Sequence, residues 1–198
     1  MVKVGITGGI GSGKSTVCKL FSILGIPTYS SDIRAQQLMM FNHNVVNALK
    51  ATFGPDIYNL NGSLNKDYLS KLVFDSPETR QIINSIVHPA VQNDFTQWCE
   101  HQKAEIPYVI QESAILFETE LWKDLDILIT VTCPIDERIE RIVKRDNISI
   151  IDARKKINSQ MTDEVKIEKS TFVIESNANS LLIKNVLDIH KKITQNEN

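Results

Sequence analysis

Residues 8 to 15 read Gly8-Gly9-Ile10-Gly11-Ser12-Gly13-Lys14-Ser15, the spacing Gly-x4-Gly-Lys-Ser. These residue types at this spacing can cradle phosphate. Glycines let the backbone curl so that successive N–H groups point at phosphate oxygens. The first turn of a following helix adds unpaired N–H donors and a partial positive charge. Lys14 supplies a full cation for β- and γ-phosphates, and the Ser15 hydroxyl is a natural Mg²⁺ ligand. Composition alone would match the four fixed positions in roughly one chain of this length per hundred. The context lowers that further, because Val2–Thr7 reads as a short buried strand and 14–24 as an amphipathic helix. A dinucleotide fingerprint Gly-x-Gly-x-x-Gly fails: from Gly9 or Gly11 the third glycine would fall on Lys14 or Thr16.

The elements that must position this loop can be read coarsely. Strand-like runs are expected at 2–7, 26–29, 108–111, 125–131 and 172–174, separated by longer helical patterns. That alternation predicts a parallel sheet covered by helices on both faces. Gly25 should close the first helix as its C′ residue, with Pro27 discouraging continuation. Gly54-Pro55 and Asn61-Gly62 mark turns. Residues 32–105 hold helical patterns and no clear strand, too much for a simple crossover. They read as a helical insertion that builds a second face for a substrate. Residues 195–198 are expected to fray.

Pro134 fits the first position of a further helix, with Asp136 and Glu137 in its first turn where the dipole favours anions. Arg138, Arg141 and Arg145 follow at i, i+3 and i+7 and share one face. Glu137–Arg141 and Glu140–Lys144 are i, i+4 pairs in the favourable order. Two readings stand here: a solvated helix with surface ion pairs, or an arginine-bearing lid over a transferring phosphate. Asp32 has two readings as well. It lies just beyond the second strand, where ligands of open α/β sheets sit, and could accept the proton of an attacking hydroxyl. It could equally be one of the helix caps offered by Ser30, Ser31 and Asp32.

Composition narrows the class. The chain has 198 residues, 22 basic and 24 acidic, for a net charge of −2, so nothing draws it to nucleic acid or to an anionic membrane. Cys18, Cys99 and Cys133 show no Cys-x-x-Cys spacing and read as small core residues. No apolar run reaches the length of a membrane span, and the first strand starts at once, so a soluble cytoplasmic protein is expected. A switch GTPase is excluded: no aspartate has glycine three residues later, and Asn65-Lys66-Asp67-Tyr68 lacks the second acid of a guanine motif. Small size, a helical insertion and an arginine-bearing helix favour a small-molecule kinase over a motor ATPase.

Nearly the whole chain resembles the dephospho-coenzyme A kinase family. The resemblance starts at Thr7–Thr16 and runs through Leu24-Gly25-Ile26-Pro27 to Ser31-Asp32. It continues in Leu64–Leu69 with Val73-Phe74, His88-Pro89, Leu116-Phe117-Glu118 and Arg141–Arg145, and ends with Ile157-Asn158-Ser159-Gln160 and Asn177. There are departures. Glu112 and Ala114 stand where the family has Asp and Pro, Lys156 where it has Arg, and Ser170-Thr171 where it has Ala-Asp.

The resemblance implies a P-loop NTPase fold: a three-layer α/β/α core with a central parallel five-stranded sheet, over 1–31 and 106–198. It implies a helical acceptor-binding insertion over 32–105 and a short helical lid within 134–161. It also implies transfer of phosphate from ATP, with Mg²⁺, to the ribose 3′-hydroxyl of dephospho-CoA. The implied ATP-binding residues are Gly8, Gly9, Gly11, Ser12, Gly13, Lys14, Ser15, Thr16, Arg145 and Asn177. Lys14, Asp32 and Arg141 would be catalytic, Asp32 and His88 acceptor-binding, and Ser15 the metal ligand. The alternatives are a P-loop kinase for another small acceptor, such as a nucleoside monophosphate or shikimate, and a nucleotide-dependent switch with no acceptor.

Overall fold

Five parallel strands run in the order β2-β3-β1-β4-β5, with β1 at Val2–Thr7, β2 at Thr28–Ser30, β3 at Tyr108–Glu112, β4 at Ile127–Thr132 and β5 at Phe172–Glu175. The computed structural model describes residues 1–119 and 121–195, without the side chains of residues 73–75 and 77. The side chains of Val73 and Phe74, used for the family resemblance, and residues 196–198, expected to fray, therefore lie outside the described residues. The described helices are α1 (Lys14–Ile23), α2 (Ser31–Phe41), α3 (His43–Phe53), α4 (Lys66–Asp75), α5 (Pro77–Glu100), α6 (Ile135–Asp146), α7 (Ile150–Asn158), α8 (Asp163–Glu168) and α9 (Leu182–Gln195). Among the described residues no helix is long and apolar enough to cross a membrane.

The chain divides into two compact units, Met1–Ser30 with Gln102–Asn198, and Ser31–His101. The first contains the sheet. Val4, Ile6, Tyr108, Ile110, Ile129, Val131 and Ile174 alternate onto one of its faces, where they meet Val17, Cys18 and Phe21 of α1 and Val186, Ile189 and Ile193 of α9. Burying each large side chain there stabilises the unit by about 1.5–3 kcal/mol. Leu128 points to the other face, against Leu116, Phe117 and Leu121 with Trp122 and Leu125. A strand buried on both faces reads as a nearly continuous apolar run, which is why β1, β3 and β4 stand out in the sequence.

Two strands start later than expected. β2 begins at Thr28, not Ile26, because the preceding residues close α1. Gly25 has φ 84°, its N–H donates to Ser22 O at 3.0 Å, and the Ile26 N–H donates to Phe21 O at 3.1 Å. This pair of bonds satisfies carbonyls that the helix end leaves open. β4 begins at Ile127 because Leu125 closes a turn onto Trp122 O and the Asp126 carboxylate accepts from the Lys3 N–H at 2.7 Å. Pro134 is the residue before α6, one position earlier than its expected place.

In the second unit, side-chain oxygens set where helices start. Asn42 accepts from the N–H groups of Asn44 and Val45 ahead of α3, Asn65 from Tyr68 ahead of α4, and Ser76 from Thr79 ahead of α5. Arg34 of α2 grips Asp94 of α5 with two parallel bonds, Nε to Oδ2 at 2.8 Å and Nη2 to Oδ1 at 2.5 Å. Asn61-Gly62 does turn the chain, with Tyr58 and Leu64 bridged on either side. His88 and Pro89 lie inside α5.

His88 is half-buried, and that burial holds its imidazole below the ordinary histidine range. Above a pH of about 6.5 both folded and unfolded chains carry it neutral, and its contribution to stability is fully present. As pH falls below that, the unfolded chain takes up a proton that the folded chain resists, and stability is lost. Wild type should therefore lose more urea stability between pH 7 and pH 5 than His88→Gln. Parallel losses would remove burial of His88 as the cause.

Candidate active site

The glycine-rich segment joins the carboxyl end of β1, the central strand, to α1, and Lys14 opens that helix. This is where ligands of open parallel sheets sit, at the point where connections leave in opposite directions. The Ser12 N–H closes a turn onto Gly9 O at 3.1 Å, and Gly13 precedes α1 with φ 97°. Lys14 is 9% exposed, and its ammonium folds back to donate to Gly8 O at 2.9 Å. Ser15 and Thr16 are exposed in the first turn of α1, while Ser12 is buried.

The loop is shaped by close approach. A side-chain carbon on Gly8 would collide with the Val131 carbonyl of β4, and one on Gly9 with the Arg138 guanidinium. Only glycine lets neighbouring backbone come so near.

α6 supplies the basic side chains against this loop. Arg138, buried, donates from Nε to Ile10 O at 3.0 Å and pairs through Nη1 with Asp163 at 3.1 Å. Arg141 donates to Gly11 O at 3.3 Å, to Ser176 O at 2.9 Å and to Glu137 at 3.1 Å. Arg145, with 61% of its side chain exposed, instead grips Asp146, which also accepts from Lys156 at 2.9 Å. These two cations hold the Asp146 carboxyl well below the usual carboxylate range. The three arginines sharing one sequence face thus have different surroundings. Arg138, which the sequence reading did not place at the site, lies closest against the loop. The signal was its i−3 spacing from Arg141.

Asn177 follows β5 and Ser176. Its Oδ1 accepts from the Asn179 N–H at 2.9 Å, shaping its own loop. At the end of β3, Glu112 is in register with Ile6 and Ser30 and accepts from the Ser30 hydroxyl at 2.9 Å. Burial and the Glu112 carboxylate push the Cys18 thiol far up, and burial pushes up Cys133. All three cysteines are buried and unbridged, as core residues should be. Asp32 and His88 belong to the second unit. Asp32 is exposed and second in α2, two residues past Ser30 in the chain.

The family model for dephospho-CoA kinase matches residues 2–181. The chain belongs to the dephospho-CoA kinase family. A dephospho-CoA kinase from Bacteroides fragilis strain YCH46 is 36% identical over 188 residues, covering 95% of this chain and 91% of that protein. Among solved structures, TT1252 from Thermus thermophilus has a TM-score of 0.85 at 29% identity and covers 96% of both chains. Dephospho-CoA kinase from Campylobacter jejuni has a TM-score of 0.72 at 22% identity, covering 99% of this chain and 98% of that one, and shares the fold. The parallel five-stranded sheet with flanking helices is thus that of a dephospho-CoA kinase family member.

Within this family member, Gly8 and Gly9 should tolerate substitution unequally. Alanine at Gly8 meets backbone, which cannot move away, whereas alanine at Gly9 meets the far end of a side chain. Gly8→Ala should lower the thermal unfolding midpoint more than Gly9→Ala. The reverse order would contradict the packing described.

Proposed function

We propose that the chain transfers the γ-phosphoryl group of ATP to the ribose 3′-hydroxyl of dephospho-CoA, giving CoA and ADP in coenzyme A biosynthesis. The observation that carries this, within the family, is the gathering of Lys14, Arg138 and Arg141 on the carbonyls of one glycine loop at the end of the central strand. Phosphoryl transfer has a loose transition state, so positioning and charge stabilisation are what the protein must supply.

In this reading the backbone of residues 11–16 and the Lys14 ammonium hold the ATP phosphates. Lys14 offsets charge on the migrating group, and Arg141 covers it from α6, within a lid at 134–161. Arg145 and Asn177 complete the ATP site. Asp32 hydrogen-bonds the attacking 3′-hydroxyl and takes its proton. Residues 32–105, with His88, hold the rest of the acceptor. The protein works in the cytoplasm on a small molecule, without nucleic acid or membrane.

The site also fits Mg²⁺. Ser15 offers an exposed hydroxyl in the first turn of α1. Mg²⁺ that is held chiefly by substrate phosphates and water needs no all-protein cage. When bound, it would neutralise charge between the β- and γ-oxygens.

ADP release with Mg-ATP tests the reaction, with dephospho-CoA, AMP, shikimate or no acceptor. Release should require dephospho-CoA and yield a product heavier by one phosphate, and Lys14→Ala should abolish it with the fold intact. Release with AMP or shikimate alone would point to another acceptor, and equal slow release in every tube to an ATPase or switch. Arg141→Ala should lose more in kcat than in ATP affinity, and a pure affinity loss would remove it from the transition state. Asp32→Asn should lose on the order of 10²-fold in kcat. Turnover within about threefold of wild type would leave Asp32 no role as base.

A further inference from the structure

Ile10 stands at the tip of the phosphate loop and carries no reactive group. Both of its backbone polar groups are nonetheless held by side chains far away in sequence. Its N–H donates to Gln160 Oε1 at 2.7 Å, and its carbonyl accepts from Arg138 Nε at 3.0 Å. Neither bond comes from the loop itself or from α1.

Each anchor is fixed in turn. Arg138 is tied to Asp163 at the start of α8. Gln160 lies between α7 and α8 and is followed by Met161, whose N–H donates to Glu118 Oε1 at 2.9 Å. That same oxygen faces the Lys166 ammonium at 3.3 Å. Lys166 is fully buried, and its ammonium also donates to Ala114 O at 3.1 Å. A buried ammonium is tolerable only when paired and hydrogen-bonded, so this anchor resists rearrangement. A continuous polar path thus runs from the segment after β3, through Glu118 and the backbone of residues 160–161, to the loop tip.

We propose that Gln160 and Arg138 are positioning residues for phosphoryl transfer: together they clamp Ile10 and set the loop tip, and Glu118 with Lys166 holds the Gln160 end of that clamp. The inference rests on the loop being the ATP site. A cradle of N–H groups works only at fixed geometry, and a shift of about 1 Å can cost on the order of 10²-fold in rate. Gln160 supplies the acceptor for this N–H from outside the loop. The bond also occupies the Ile10 N–H, leaving phosphate to the amides that follow it.

The test compares full-length wild type, Gln160→Leu and Gln160→Glu. Leucine keeps the bulk of glutamine and removes the acceptor, and glutamate keeps an oxygen acceptor. ATP affinity is read by calorimetry without acceptor, which separates the clamp from any failure of the transfer reaction. Steady-state constants for ATP and dephospho-CoA, and thermal unfolding, are read alongside. Gln160→Leu should weaken ATP binding and kcat/KM for ATP by about tenfold, as expected when a partly buried N–H loses its partner. KM for dephospho-CoA should change by less than about twofold, and Gln160→Glu should recover most of the loss. Unchanged ATP constants, equal losses for both substrates, or no recovery with glutamate would each overturn the clamp. If Gln160→Leu fails to fold, Gln160→Asn, which falls one carbon short of Ile10, is read by the same criteria.

Discussion

Three cationic side chains hold the carbonyl oxygens of one loop: Lys14 on Gly8 and, at 3.5 Å, on Gly9, Arg138 on Ile10 and Arg141 on Gly11. A phosphate-binding loop must keep its shape while leaving most of its N–H groups open, because those groups are its binding surface. Anchoring the carbonyls with side chains meets that constraint. The same bonds place positive charge around the position a phosphate would take, so shape and electrostatics have one origin. Charge-assisted hydrogen bonds are roughly twice as strong as neutral ones, which suits a loop that must be rigid before its ligand arrives.

Much of the first unit follows from supporting that loop. β1 must be central so that β3 and β4 flank its carboxyl end, and β4 comes so near that its Val131 carbonyl leaves no room for a side chain on Gly8. α6 must sit against the loop for its arginines to reach. Its Ile139 and Ile142 pack with Ala153 and Ile157 of α7, and Ile10 itself joins that cluster. The loop tip is therefore apolar on one side and clamped by polar bonds through its backbone.

The sequence read the local features well. The loop, β1, α1 and the glycine that closes α1 were legible because each depends on neighbours a few residues apart. The Glu137–Arg141 pair formed for the same reason. The late starts of β2 and β4 were not legible, because a turn or a distant carboxylate competes there with strand pairing.

The sequence by itself therefore determined the phosphate-loop chemistry, the parallel α/β architecture and the family. These rest on spacing, hydrophobic runs and motif order, all of which are written locally. The tertiary structure decided which side chains secure the loop. Arg138 meets Ile10 across 128 residues of chain, and Gln160 meets it across 150. Helical spacing put Arg138, Arg141 and Arg145 on one face but could not distinguish the buried one from the exposed one. That distinction arises only when α6 is laid against the end of the sheet, where burial and the competing carboxylates of Asp163, Glu137 and Asp146 assign each guanidinium its partner.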